Sequence, residues 1–230
     1  MQITIHQPEF MPWAGYFNKI ARAEGRIIHL DSVKFQKNYF DNRCRLKQNG
    51  AAKWVTVPVK GRDAGTLIKD ILIFEPGSWE KSAFSAFFAS CGKAPFWKEH
   101  APFLEATFTP GRWAKLVDLN LAVIEYVCRY LELPLNATRS SEMGVESKGS
   151  QLVLDLCLKA GADSYLSGAH GRDYLDEAAF AAAGVKLVYQ DYAPPVYDQH
   201  DGPYIGPLTV FDLLLNRGRD ARALIAGVRA

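Results

Sequence analysis

The sequence predicts an α/β protein: a mostly parallel sheet with flanking helices, a β-hairpin insertion and a helical middle section. Three observations predict it. Residues 1–31 read strand, helix, strand, a βαβ unit whose two strands must run parallel. Residues 151–190 alternate helix, short strand, glycine-rich turn, helix and strand. Between these parts, residues 79–134 carry helical periodicity. The expectation is one domain over residues 1–230, with a helical subdomain at about 79–134.

Met1-Gln2-Ile3-Thr4-Ile5 alternates in polarity and reads as the first strand. A helix follows over about residues 13–23, with Pro12 at its entrance and Gly25 as its stop. Residues 26–31 form the second strand. His6 therefore sits at the carboxyl end of a strand, just before a helix N-terminus. Open α/β sheets bind ligands along that edge, and free backbone N–H groups there favour an anion. Asp31 ends the second strand, where it either shares the same pocket or caps the next turn.

Residues 32–47 are dense in Gln, Asn, Lys, Arg and aromatic side chains. A hairpin follows, with strands at 43–47 and 54–59 around the turn Gln48-Asn49-Gly50. Its basic residues are expected to project over the end of the first strand, or else to form a solvated face. Arg43 suits a bidentate grip on carboxylate or phosphate, whereas Lys19 and Lys47 act as point charges. Residues 67–74 read as another strand. Helical patterns occupy 79–90, the stretch around Phe103, and 112–131, where Leu116, Leu119, Val123, Ile124, Val127 and Leu131 share one side. Next come a short strand and polar loop at 136–143, a helix at 151–160, a strand at 164–167, a glycine-rich turn at 168–176, a helix at 177–183 and a strand at 185–190. An extended aromatic tail then leads to a closing helix at 208–216, expected to pack on the sheet.

Composition narrows the function. Hydrophobic residues make up 48% and charged residues 23% of 230 positions, enough for a sizeable core without staples. A net charge of +2 gives no bulk attraction for nucleic acid or a membrane surface. No apolar run has the length of a membrane span, and the first residues already read as a strand rather than a signal peptide, so a cytoplasmic setting is expected. Cys44, Cys91, Cys128 and Cys157 are dispersed and are expected as free thiols.

The five histidines lack metal-ligand spacing, so no metal site is expected, and no cofactor is identified. Phosphate-loop, dinucleotide and serine-elbow motifs are absent. The remaining candidates are His6 as acid or base, and His170 between two glycines, held by Asp173 as an acid/base pair. Cys44 is a candidate nucleophile if Arg43 and Arg45 favour its thiolate, although alternation along a strand puts those side chains on the opposite face. The turn from Ser167 through Gly168 to Gly171 would line the wall opposite His6, with Trp13, Tyr16 and Tyr174 as further walls.

His6-Gln7-Pro8, Pro12-Trp13, Gly15-Tyr16 and Lys19 resemble the opening signature of the WbqC-like family. The resemblance runs on through Asp31, Phe35-Gln36, Asn42-Arg43, Lys47 and residues 54–59. It returns at Ser140-Ser141, Tyr165-Leu166-Ser167-Gly168, Gly171, Tyr174-Leu175-Asp176, Tyr189-Gln190 and Asp212. It adds Gln7, Gln36 and Asn42 to the binding candidates. It implies a Rossmann-like sheet with a strand–helix start similar to pantothenate synthetase, where a His after the first strand binds phosphate; the second His of that motif is absent here. It also implies an acyl- or aminoacyl-transfer enzyme acting on a small amine or nucleotide-linked amino sugar, in surface-polysaccharide or natural-product biosynthesis. Two other readings stand beside it. One is a thiol enzyme in which Cys44 attacks a carrier-protein thioester. The other is a non-catalytic nucleotide- or sugar-binding partner.

Overall fold

Strand β1 (Gln2–His6) leads through helix α1 (Ala14–Arg22) to strand β2 (Arg26–His29) in the computed structural model, which describes residues 1–37, 39–61, 65–74 and 79–227. Asn38, inside the polar run before the hairpin, lies outside the described residues. The hairpin is β3 (Arg43–Gln48) and β4 (Ala51–Thr56), followed by the short antiparallel pair β5 (Val59–Lys60) and β6 (Leu72–Ile73). Helices α2 (Trp79–Cys91), α3 (Trp97–Thr107) and α4 (Leu116–Tyr130) make the middle section. The chain returns through β7 (Asn136–Arg139), α5 (Gly149–Lys159), β8 (Ser164–Ser167), α6 (Glu177–Ala182) and β9 (Lys186–Tyr189). It ends in α7 (Val210–Arg217) and α8 (Ala221–Ala226).

The five-stranded sheet has the order β7-β2-β1-β8-β9, with every pairing parallel. His6 is in register with His29, and Thr4 with Leu166. From β1 the chain moves outward to β2 and β7 on one side, then to β8 and β9 on the other. The strand order reverses between β1 and β8, where open α/β sheets leave a crevice at their carboxyl edge.

Two apolar clusters cover the two faces. Ile3 and Ile5 point toward α5 and α6, in a cluster with Leu152, Leu156 and Phe180. On the other side Phe17 and Ile20 of α1 join Ile27 and the helical section. Full burial of side chains like these contributes about 1.5–3 kcal/mol each. That outweighs the lack of a side-chain cap at Trp13, since a good cap is worth only about 1 kcal/mol.

Two sequence expectations change. Residues 67–74 do not form one strand but a 3₁₀ turn at Ile68–Asp70 and then β6. Ile68 and Ile71 are both fully buried. Side chains three apart point to opposite faces of a strand, so a strand covered on one face would bury only one of them, whereas the turn allows both to be buried. The backbone agrees: Ile68 N–H donates to Val33, whereas the Ile71 carbonyl accepts from Leu116 N–H. The closing helix, expected to pack on the sheet, sits against the helical section. Phe211 of α7 meets Phe87, His100, Phe103 and Tyr126 of the helical section, with ring centroids 6.1 Å away in each case.

Asp31, expected to share the pocket or cap a turn, instead ties the end of β2 to the end of β7. It is fully buried, and its carboxylate accepts from Arg139 Nε at 2.7 Å, Ser140 Oγ at 3.1 Å, and Ser141 N and Oγ at 2.9 Å each. Burial alone would raise its pKa, but the Ser141 amide, Arg139 and the Ser141 hydroxyl together hold it below the usual carboxylate range. An Asp31→Ala protein is expected to lose about 3 kcal/mol in urea unfolding at pH 7, since Arg139 then lacks its acceptor. Because the folded-state pKa is depressed, the advantage of the wild type is full above the usual pKa of 3.8 and fades as pH falls through the lowered value.

Candidate functional site

A cavity of about 810 Å³ opens at the carboxyl edge where β1 and β8 diverge. That volume lies within the roughly 300–1,000 Å³ typical of small-molecule sites. Its floor holds His6, Gln7 and Glu9 from the loop after β1, Lys19 from α1, and Ser167 and Gly168 from the end of β8.

His6 keeps a quarter of its side chain exposed (25%). Its Nδ1 lies 2.9 Å from the Gln7 carbonyl oxygen. A carbonyl only accepts, so Nδ1 carries the hydrogen and the lone pair is on Nε2. Nε2 is 3.7 Å from Glu9 Oε1. The Tyr16 ring supports the imidazole edge-on at 4.8 Å, and the Tyr16 hydroxyl lies 3.3 Å from His29 Nδ1. Burial, then the charge of Lys19, hold the His6 pKa well below its usual value. The ring is neutral at pH 7.

Glu9 is 4% exposed, and its Oε2 has no hydrogen-bond partner among the described residues. Burial raises its pKa to about 8; Lys19 opposes that shift and the neighbouring Asp41 adds to it. Asp41 is itself raised to about 7 by burial. Lys19 is 3% exposed, and its Nζ also lacks a partner among the described residues. Burial lowers it to about 8, with Glu9 opposing. The loop presenting Glu9 is fixed on both flanks. Asn120 Nδ2 donates to the Pro8 carbonyl at 2.8 Å, and Phe10 N–H donates to Phe40 at 3.0 Å. Met11 is buried with φ of 46°, a left-handed conformation that costs a non-glycine residue about 1–3 kcal/mol and typifies functional loops.

The signature of the WbqC-like protein family matches residues 7–224. The chain belongs to this family. It is 29% identical over 223 residues to an uncharacterized protein of Mycobacterium tuberculosis, an alignment covering 96% of this chain and 95% of that one. No solved structure matches it.

In this WbqC-like chain the cavity collects many of the sequence-predicted residues. His6, Gln7, Lys19 and Gln36 line it, as do Ser167, Gly168 and Gly171. Trp13 forms a wall, its indole folded across Gly15, where an added Cβ would lie 2.2 Å from the ring. The first turn of α1 thus meets the cavity behind an aromatic face rather than as a bare anion site. Tyr174 stands at the mouth, 54% exposed. Gly171 is required for close approach, since a Cβ there would lie 2.0 Å from Ser167 Oγ.

Other candidates are corrected. Cys44 touches the cavity but is 2% exposed, and burial pushes its thiol well above the usual range. Arg43 and Arg45 lie on the other face of β3, stacked over Trp54 at 4.1 and 5.6 Å, so they do not favour a thiolate. His170 sits on the rim with 96% of its side chain exposed, and its Nδ1 is 3.5 Å from Asp173 Oδ2. That separation in open solvent is too long and too screened to fix an acid/base pair.

Lys47 points away from the cavity. Its buried Nζ donates to Gln199 Oε1 at 3.0 Å and to the carbonyls of Asp201 and Pro203, anchoring the extended segment before α7. Asn42 locks the hairpin by donating to the Val57 carbonyl at 2.8 Å. Arg43, Asn42 and Tyr16 are not among the lining residues; Tyr16 is core beneath His6. Lys34, Tyr39, Arg45 and Gln190 line the cavity instead. Glu9 is the main residue the motif reading passed over. Its signal was a lone carboxylate within Pro8-Glu9-Phe10-Met11-Pro12, an otherwise apolar run.

The Glu9 carboxyl gives a pH-dependent expectation. Its folded pKa of about 8 exceeds the ordinary 4.5, so the folded state holds the extra proton between those values. Its contribution to stability is therefore present below pH 4.5 and is lost as pH rises to about 8. Glu9→Gln removes this loss. The ligand-free variant should melt above the wild type at pH 8 by several degrees, at roughly 2–4 °C per kcal/mol, with the gap closing toward pH 4.5. A gap that widens on acidification would contradict this.

Proposed function

We propose that the cavity is the active site of an acyl- or aminoacyl-transfer enzyme acting on a small amine or a nucleotide-linked amino sugar. The setting proposed is cytoplasmic polysaccharide or natural-product biosynthesis, with a carrier-protein thioester as one possible acyl donor. The observation that carries the reading is His6: a neutral imidazole, its Nδ1–H fixed on the Gln7 carbonyl and its Nε2 lone pair within the cavity. An amine attacking an acyl carbonyl must lose a proton as the new C–N bond forms. Nε2 takes that proton and returns it to the departing group. Glu9 Oε1, 3.7 Å from Nε2, is close enough to hold the imidazolium once it forms. The thiol alternative loses its support, because the Cys44 thiolate is disfavoured by burial.

The test is a matrix of acyl and aminoacyl thioesters against nucleotide-linked amino sugars, followed by mass spectrometry of the products. In the pair that turns over, His6→Ala should lower kcat by roughly 10²–10⁴ while leaving the ligand-induced thermal shift intact. Full turnover by a folded His6→Ala protein would remove the role assigned to His6. Thermal shifts without turnover of any pair would make this a binding protein.

A further inference from the structure

We propose that Lys19 is a covalent nucleophile, its Nζ adding to the carbonyl carbon of a small neutral aldehyde or ketone, an open-chain sugar included, to form an imine in the cavity. This goes beyond the transfer reading, which uses His6 and needs no enzyme adduct.

Lysines near a surface usually lift the ammonium into water. Lys19 does not: it is 3% exposed, faces the cavity, and leaves Nζ without a hydrogen-bond partner among the described residues. Nζ reaches across from α1 to within 3.9 Å of where a Cβ on Gly168 would stand, at the end of β8. A buried ammonium that makes no hydrogen bond is expensive even with Glu9 nearby, whereas a buried neutral amine is far less so. At pH 8 a group titrating near 8 is half unprotonated, whereas a lysine at the ordinary 10.5 is so to well under 1%.

The titratable groups that bear on Lys19 are Glu9 and His6 from β1 and its loop. Asp41 lies beside Glu9, and His29 of β2 behind Tyr16. On the β8 side Ser167 and Gly168 bring no charge, and His170 and Asp173 stand in solvent on the rim. A lysine meant to hold phosphate or carboxylate would be poorly placed near two buried carboxyl groups. The same neighbours suit carbonyl addition. The Nζ lone pair forms the C–N bond, and the Glu9 carboxyl supplies a proton to the carbonyl oxygen. His6 Nε2 accepts the first proton shed by nitrogen, giving a carbinolamine, and then returns that proton to the new hydroxyl, which departs as water; nitrogen's second proton passes to the Glu9 carboxylate. Amine and carbonyl become imine and water, with no oxidant or reductant needed.

Trapping tests this without any transfer assay, so it fails or holds separately from the transfer reading. Full-length protein is incubated with glyceraldehyde or pyruvate, reduced with borohydride, and mapped by peptide mass spectrometry. Lys19 should be modified at least ~10-fold more than the average of the other lysines. Yield should rise with pH to a maximum near 8, where Lys19 is half unprotonated and Glu9 half protonated, and neutral glyceraldehyde should exceed anionic pyruvate. Lys19→Met, with its fold checked by circular dichroism, should lose the selective adduct, and Glu9→Gln should slow its formation. Adducts spread over exposed lysines with Lys19 unmodified would overturn the proposal. So would inorganic phosphate that raises the melting temperature while no Lys19 adduct forms, since Lys19 would then be an anion holder.

Discussion

Strand β1 is hydrogen-bonded to a parallel neighbour on each edge, β2 on one side and β8 on the other, and the candidate site follows from that double pairing. A parallel neighbour must be reached by a crossover. Here α1 covers one face and α5 the other, so the connections at the carboxyl edge diverge. The gap between them is filled by side chains that the strand ends carry there, His6 from β1 and Ser167 from β8. Everything chemical about the site is a consequence of what that gap does to charge.

The gap excludes enough water to push three neighbouring groups toward their neutral forms. His6 is lowered, Glu9 is raised to about 8, and Lys19 is lowered to about 8, burial being the largest cause each time. Glu9 and Lys19, both titrating near 8, can give and take protons in either direction, which is what acid–base and amine chemistry need. The arrangement is costly to the fold. Glu9 Oε2 and Lys19 Nζ are buried without partners among the described residues, and Met11, two positions from Glu9, holds a left-handed backbone. Asp31 and Lys47, buried elsewhere, are by contrast well provided with hydrogen bonds, as architectural charges are.

The basic residues show how tertiary contacts separate similar signals. Lys19, Arg43 and Lys47 were equivalent as cations near the opening motif. Lys47 meets the segment before α7, more than 150 positions away in the chain, and becomes an anchor. Arg43 and Arg45, two positions apart on the same strand, both lie over Trp54, but only Arg45 also reaches the cavity wall. Only Lys19 remains on the floor. Likewise Tyr16 was legible as an aromatic on the first helix, but which side of the helix met His6 depended on how α1 packs.

Sequence alone determined the parallel α/β frame, since strand and helix periods are local properties of residues 1–31 and 151–190. It also put His6 at a strand's carboxyl end, because the alternating run stops there. It misread 67–74, where the backbone turns at 68–70 and both isoleucines are buried. The tertiary structure alone decided the charge state of Glu9, Lys19 and Cys44. A pKa shift of several units comes from removing water, and that depends on which distant segments close over a side chain.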